Sequence, residues 1–353
     1  GGAARVGVVL LNIGTPNSLD LDDVADYLGR FLGDRRVVSI QDPEERSAVL
    51  TGVLGAQPAK SVESYARIWD PVRGSPLRYH MQDLAAALQG ELGPAFEVHV
   101  GFQHSEPSVD AAMARLAALD VDRVVLVPMF PHFAEATVAA FLANAMDTAS
   151  RFHCGAYLQV LPPFYREPGF VDAVAACVTG AAGPACEKVD HLLFSFHGIP
   201  RQLPPPEDPR NSYRAQCLET AALVARAVGL PDGRWSIAFQ SRLSLRKVIN
   251  WITPHTDEVL QRLPAEGCRR VAVCAPSYTA DCIETLGELA LDAPSVFRRA
   301  GGDELLPVPG PNSSAGWTLS LAGMIRALPA TAADAAAAAA AAPGSAPRGF
   351  WAM

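Results

Sequence analysis

The chain has 353 residues, 49% apolar and 19% charged, the proportions of a globular protein with large cores and enough length for about two domains. A net charge of −8 leaves no basic footprint for nucleic acid or an anionic membrane. No apolar run approaches the roughly 18–20 residues that span a bilayer and no signal-peptide pattern opens the sequence, so a cytoplasmic protein is expected.

In chain order, the first apolar run is RVGVVLLN (5–12), followed by FEVHVGFQ (96–103), RVVLVPM (123–129) and AYLQVLP (156–162). A second set follows: HLLFSFH (191–197), RWSIAFQ (234–240), Arg270 with VAVCAP, and ELLPVPG (304–310). Such short runs bounded by turn formers read as buried strands of parallel sheets. Between them, PSVDAAMARLAAL (107–119) and YRAQCLETAALVARAVG (213–229) carry apolar residues at helical spacing. Strands alternating with helices predict an α/β fold with parallel sheets. RQLPPPEDPR (201–210) is proline-rich and expected to be loop, and the eight alanines Ala335–Ala342 have no amphipathic face to pack.

The two sets resemble each other. VVLLNIGTP matches LLFSFHGIP, with Gly14 and Pro16 aligned on Gly198 and Pro200. GFQH (101–104) echoes AFQS (238–241), and VVLVPMFPHFAEAT (124–137) echoes VAVCAPSYTADCIET (271–285). A duplicated four-stranded unit is expected, with the carboxyl-end loops of both halves lining one cleft and Ile13 and His197 at corresponding places on its walls.

Chemistry concentrates at these strand ends. No GxGxxG, GxxxxGK[ST] or GxSxG follows any strand, which removes the main support for nicotinamide, P-loop and hydrolase readings. The seven cysteines are scattered without a C-x2-C pair, so no structural zinc or thioredoxin-type motif is signalled. His197 ends an apolar strand, a position open to both a ligand-binding and a core-capping histidine. In YTADCIETLGELALD (278–292), read as the start of a helix, Glu284, Glu288 and Asp292 recur every four residues and stack on one face. Stacked anions call for a cation or protons, although Asp281 with Glu284 also fits a capping box. An imidazole and a carboxylate in one cleft suit Fe2+ or Zn2+, or proton transfer near neutral pH. Phe130, Phe133, Phe196, Trp251 and Tyr278 cluster at the same loop ends and would wall a flat, apolar ligand.

LLNIGTP, RGSPL (73–77), LLFSFHGIP, FQSR (239–242), PHTDEVL (254–260), YTADCIETLGEL and AGGDELLPVPGPNSS together resemble ferrochelatase, in the same order, over residues 5 to about 320 and closest to the proteobacterial branch. The resemblance implies two similar Rossmann-like domains, each a four-stranded parallel sheet flanked by helices. They would span 5–167 and 168–314, with a helix at 315–330 packing back on the first domain and a tail at 331–353. It implies insertion of Fe2+ into protoporphyrin IX in the cleft between them, with release of two protons. His197 would bind metal or take the pyrrole protons, Glu284 would be the carboxylate facing it, and Glu288 and Asp292 would carry protons or metal. Ile13, Ser75, Phe133, Trp251 and Tyr278 would contact the porphyrin, Ser75 at a propionate. Iron would be a substrate, no resident cofactor is required, and with Cys282 the last cysteine no [2Fe–2S] cluster is expected. The partners are thus protoporphyrin IX and Fe2+, without nucleic acid or a transmembrane segment, and with room for peripheral membrane contact.

The chain departs from the family's pattern at LSLRKVIN (243–250), at HFAEAT (132–137), which introduces Glu135, and at Gln103, where many relatives have arginine. These departures keep three alternatives in view. One is a porphyrin- or haem-binding paralogue with impaired catalysis, and another is a coproporphyrin III enzyme, for which PHF (131–133) and HSEP (104–107) speak and Ile13 speaks against. The third is a cobalt chelatase for a more anionic tetrapyrrole, for which the motif loops offer mainly Arg73, Arg78 and Arg242.

Overall fold

Eight strands form among the described residues of the computed structural model: β1 Val6–Asn12, β2 Phe96–Phe102, β3 Arg123–Pro128, β4 Tyr157–Val160, β5 His191–His197, β6 Trp235–Gln240, β7 Arg270–Cys274 and β8 Glu304–Pro307. The structure describes residues 5–35, 37, 42–151, 157–200, 212–241, 250–331 and 334. The expected loop at 201–210, Arg242, most of 243–250 and the alanine run lie outside these. All eight expected strands form. β4 and β8 stop short of their apolar runs where prolines (162, 163 and 307, 309) remove the N–H groups a ladder needs.

The strands make two all-parallel sheets, ordered β2-β1-β3-β4 and β6-β5-β7-β8. The order is the same under the correspondence β1 to β5 through β4 to β8, as the sequence repeat predicts. Local details repeat as well. At the end of β2, Phe102 makes a parallel bridge to Ser108, and at the end of β6, Phe239 makes one to His255. A π-helix follows the third strand of each unit, at Glu135–Ala139 and Ile283–Asp292.

Ten α-helices lie among the described residues. In the first half these are α1 Leu21–Gly33, α2 Pro43–Ala66, α3 Pro76–Leu92, α4 Val109–Ala118 and α5 Ala140–Arg151. In the second half they are α6 Pro168–Ala182, α7 Tyr213–Val228, α8 Thr256–Arg262, α9 Ala293–Arg299 and α10 Ala315–Ala327.

Both faces of each sheet are covered, which is why the central strands read as unbroken apolar runs. On β1, Val8 and Leu10 face an inner core, while Val9 and Leu11 face an outer one with α4 and α5. On β5, Phe194 and Phe196 join the same inner core and Leu193 faces an outer one with α8 and α9. The inner core is therefore shared by both sheets, with α3, α6, α7 and α10 between them. Trp317 of α10 is fully buried against Phe164 and Phe170, and Arg326 reaches Glu91 at the end of α3. This shared core holds the carboxyl ends of the two sheets in one place.

Candidate active site

A cleft opens at the carboxyl ends of both sheets, the place where α/β sheets hold their ligands. From the first sheet it is lined by Asn12, Ile13, Gly14 and Thr15 after β1 and by Met129 and Phe130 after β3. From the second it is lined by His197 at the end of β5 and by residues 277–280 after β7. Ile13 and His197 thus stand at corresponding strand ends and line one cleft.

Close backbone packing shapes both walls. Gly14 has φ +108°, and a Cβ there would lie 2.5 Å from Ser105 Oγ. At Gly198, next to the histidine, a Cβ would lie 2.7 Å from the carbonyl oxygen of Gln240. Only glycine tolerates these approaches. The His197 backbone is held on both sides: its N–H donates to Ser277 Oγ (3.2 Å), and its carbonyl accepts from Tyr213 OH (2.9 Å). Its ring centroid lies 6.1 Å from that of Tyr278. Burial lowers the His197 pKa, with the Glu284 carboxylate pulling against that shift, so the imidazole is neutral at pH 7.

The acidic stripe lies on a π-helix rather than on an α-helix beginning at Tyr278. The helix starts at Ile283, and Cys282 is its N-cap, its N–H donating to Thr285 Oγ1 (3.0 Å). Asp281 does not cap against Glu284. Its buried carboxylate accepts from Thr285 Oγ1, Gly310 N–H and Asn312 Nδ2, which leaves the Glu284 side chain free for the cleft. A π-turn is wider than the 3.6 residues of an α-turn, so residues four apart remain on nearly one line.

Of the three carboxylates, Glu284 lines the cleft, whereas Glu288 and Asp292 line a second groove beyond it with Gln240, Ser241, Thr256 and Asp257. Glu288 Oε2 accepts from Ser241 Oγ (2.7 Å) and Gln240 Nε2 (3.3 Å). Burial, reinforced by the Glu284 charge, lifts Glu288 to about 7 against the pull of these two donors. Asp292, at the exposed end, pairs with Arg67 Nη2 at 2.7 Å. Among the described residues no three His, Cys, Asp or Glu side chains converge into a metal cage.

The raised pKa of Glu288 has a consequence for stability. Its folded value, about 7, lies above the ordinary 4.5. The protonated form is therefore favoured in the folded state, and stability is lost as pH rises through that interval. Glu288→Gln is expected to raise Tm above pH 7 relative to the parent protein and to leave it unchanged near pH 4, which paired thermal melts across pH 4–8 would measure. A constant difference at all pH values would show that the carboxylate is not strained.

The remaining sequence-predicted residues divide between the lining and its surroundings. Ser75 is buried at the base of the cleft, hydrogen-bonded to Thr15 (Oγ to Oγ1, 2.7 Å), and Tyr278 lies on the wall. Trp251 is buried behind Gly198, its ring 3.7 Å from the position of a Cβ there, and Phe133 is tied by its N–H to Gln216 Oε1 (2.8 Å). Neither is among the lining residues, and Phe196 belongs to the inner core. Of the divergent positions, Glu135 is exposed and Gln103 donates to Asp34 Oδ2 (2.7 Å).

The sequence reading passed over the roof. Tyr27, Leu28 and Phe31 of α1, Ser61 and Tyr65 of α2, and Ile283 close the cleft from above. The signal was present: Val24, Tyr27, Leu28, Phe31 and Leu32 recur at helical spacing, and three of them turn into a small core with Tyr65. Tyr27 and Tyr65 are hydrogen-bonded to each other, and burial raises both phenols, which remain protonated.

Comparison with known proteins agrees with this geometry. The ferrochelatase family model matches residues 5–328. A ferrochelatase of Bdellovibrio bacteriovorus is 36% identical over 339 residues, covering 92% of this chain and 99% of that protein. One of Pseudomonas putida is 37% identical over 339 residues, covering 90% and 97%. Among solved structures, SirB from Bacillus subtilis with Fe3+ shares the fold at a TM-score of 0.50 and 14% identity, covering 72% of this chain and 91% of that one. A family match over nearly the whole chain, on a fold whose two sheets bring a histidine and a carboxylate to one cleft, places this protein in the ferrochelatase family.

Proposed function

We propose that the chain inserts Fe2+ into protoporphyrin IX, forming protohaem and releasing two protons. The observation that carries the proposal is the shared cleft of His197 and Glu284, apolar on most of its walls and continued by carboxylates that lead away from it.

Insertion exchanges two pyrrole N–H protons for one divalent ion, so the site must accept protons while positive charge arrives. A buried, neutral imidazole has a lone pair for that purpose, and we assign proton acceptance to His197. Glu284 supplies the negative charge that draws the ion into a cleft otherwise poor in it. Glu288, near pKa 7, alternates readily between carboxylate and acid and would pass protons toward Asp292 and solvent. Ile13, Leu28, Phe31, Met129, Phe130 and Ile283 would hold the macrocycle by its apolar faces, with Tyr278 at the wall. That binding energy is available to bend the ring and expose its nitrogen lone pairs. Ser75, with Thr15 and Tyr65 beside it, would receive a propionate. Phe133 and Trp251 would then act from behind the lining. Iron is substrate in this scheme and no resident cofactor or cluster takes part.

No helix among the described residues is long and apolar enough to cross a membrane, and we place the reaction in the cytoplasm. The test is anaerobic incubation with Fe2+ and protoporphyrin IX, following the loss of porphyrin fluorescence, with coproporphyrin III in parallel. Turnover with protoporphyrin IX is expected. Tight porphyrin binding without metalation of either porphyrin would sink the enzyme reading in favour of a carrier, and turnover of coproporphyrin III alone would reassign the substrate.

A further inference from the structure

We infer that Gln240, at the end of β6, is a positioning residue for metal insertion, holding the π-helix so that Glu284 and Glu288 stay in line. The inference rests on the reading of those two carboxylates given above.

Gln240 is buried (6% exposed) and does not line the cleft. Its side chain links three elements. Oε1 accepts from Ser195 Oγ of β5 at 2.6 Å, and Ser195 Oγ is itself 2.7 Å from Thr256 Oγ1 at the start of α8. Nε2 donates to the backbone carbonyl of Glu284 (3.0 Å) and to Glu288 Oε2 (3.3 Å). Its own backbone carbonyl accepts from Gly198 N–H (2.8 Å), one residue beyond His197. A single residue therefore joins the strand that ends in the histidine to the helix that carries both carboxylates.

The chemistry requires an amide of this length. The two contacts on the helix side are acceptors and the contact on the sheet side is a hydroxyl donor, so a group with NH2 at one end and a carbonyl at the other satisfies all three. Turning the amide over would set its oxygen against a carbonyl and a carboxylate, so the orientation is determined by its partners. The π-helix gives the strut a reason. Its wide turns are rare and depend on their surroundings, and Gln240 ties the first of them to the neighbouring strand end. The repeat sharpens the contrast: Gln103, the counterpart of Gln240 after β2, sends its amide to Asp34 beyond α1 rather than to the π-helix of its own half. The second glutamine has thus been put to a different use, on the side where the carboxylates lie.

Gln240→Leu and Gln240→Asn separate this role from core packing. The leucine fills the volume without polar contacts. The asparagine retains an amide for Ser195 and Thr256 but falls one methylene short of the helix. Both are expected to bind protoporphyrin IX with unchanged affinity, read by fluorescence, while kcat falls about 10–100-fold, the usual effect of losing an orienting partner behind a working group. KM for Fe2+ should rise while KM for porphyrin holds. Folded variants with kcat within threefold of the parent would overturn the inference. Parallel loss of porphyrin binding, or failure of both variants to fold, would assign Gln240 to the core and overturn it equally. Absence of activity in the parent protein would instead fail the reading of the site itself.

Discussion

Replacing His197 by alanine is expected to lower kcat by about 10²–10⁴-fold, the range that general acid–base groups contribute, while protoporphyrin IX still binds. The imidazole is one of many groups on the cleft wall, so its loss removes little of the apolar surface that holds a macrocycle. It does remove the neutral nitrogen base that burial keeps available at pH 7. Main-chain contacts to Ser277 and Tyr213 survive the substitution, so the strand end keeps its course and the loss is chemical. Stopped-flow fluorescence would separate porphyrin capture from metalation, and kcat within tenfold of the parent would remove His197 from the mechanism.

Glu284→Gln is expected to lower kcat by about 10²–10³-fold, comparable with removal of an electrostatic stabiliser from a water-poor site. The amide has nearly the shape of the carboxylate, so the change is one of charge. Two further shifts follow from the same charge. Glu284 raises the pKa of His197 and of Glu288, so both fall when it is neutralised. Any limb of the pH–rate profile owed to Glu288, near pH 7 in the parent, should therefore move to lower pH in the variant. A profile displaced in the opposite direction would mean that Glu284 does not act on Glu288 as proposed. The combination distinguishes loss of a charge from a general disturbance, which would move no pKa in a defined direction.

The parts that were legible in the sequence share a property. Each central strand is a short apolar run, buried on both faces, so local composition reports it without knowledge of its neighbours. His197 was conspicuous because it interrupts such a run at the end where α/β sheets hold ligands. The duplication was legible because each unit keeps its own glycine, proline and strand-end residues in the same order, and the paired sheet orders follow from it. Helix α1 was equally local and simply lay in a stretch where the apolar spacing was not followed. The helix start at Tyr278 was misplaced for a physical reason: Asp281, a good capping residue by type, is occupied by Asn312, Gly310 and Thr285, partners that a local window does not weigh.

By itself, then, the sequence determined the eight strands, the repeat and the family, all of which depend on residues near one another in the chain or on motifs that survive as units. Only the tertiary structure decided how the carboxylates divide. Glu284 faces the cleft while Glu288 and Asp292 face the groove behind it, because the helix that carries them runs from one to the other past the end of β6. The roof of α1 and α2, the ion pair between Arg67 and Asp292 across 225 residues, and the strut of Gln240 belong to the same class. Their partners lie far apart in sequence, and such contacts arise only after the shared core has drawn the two sheets together.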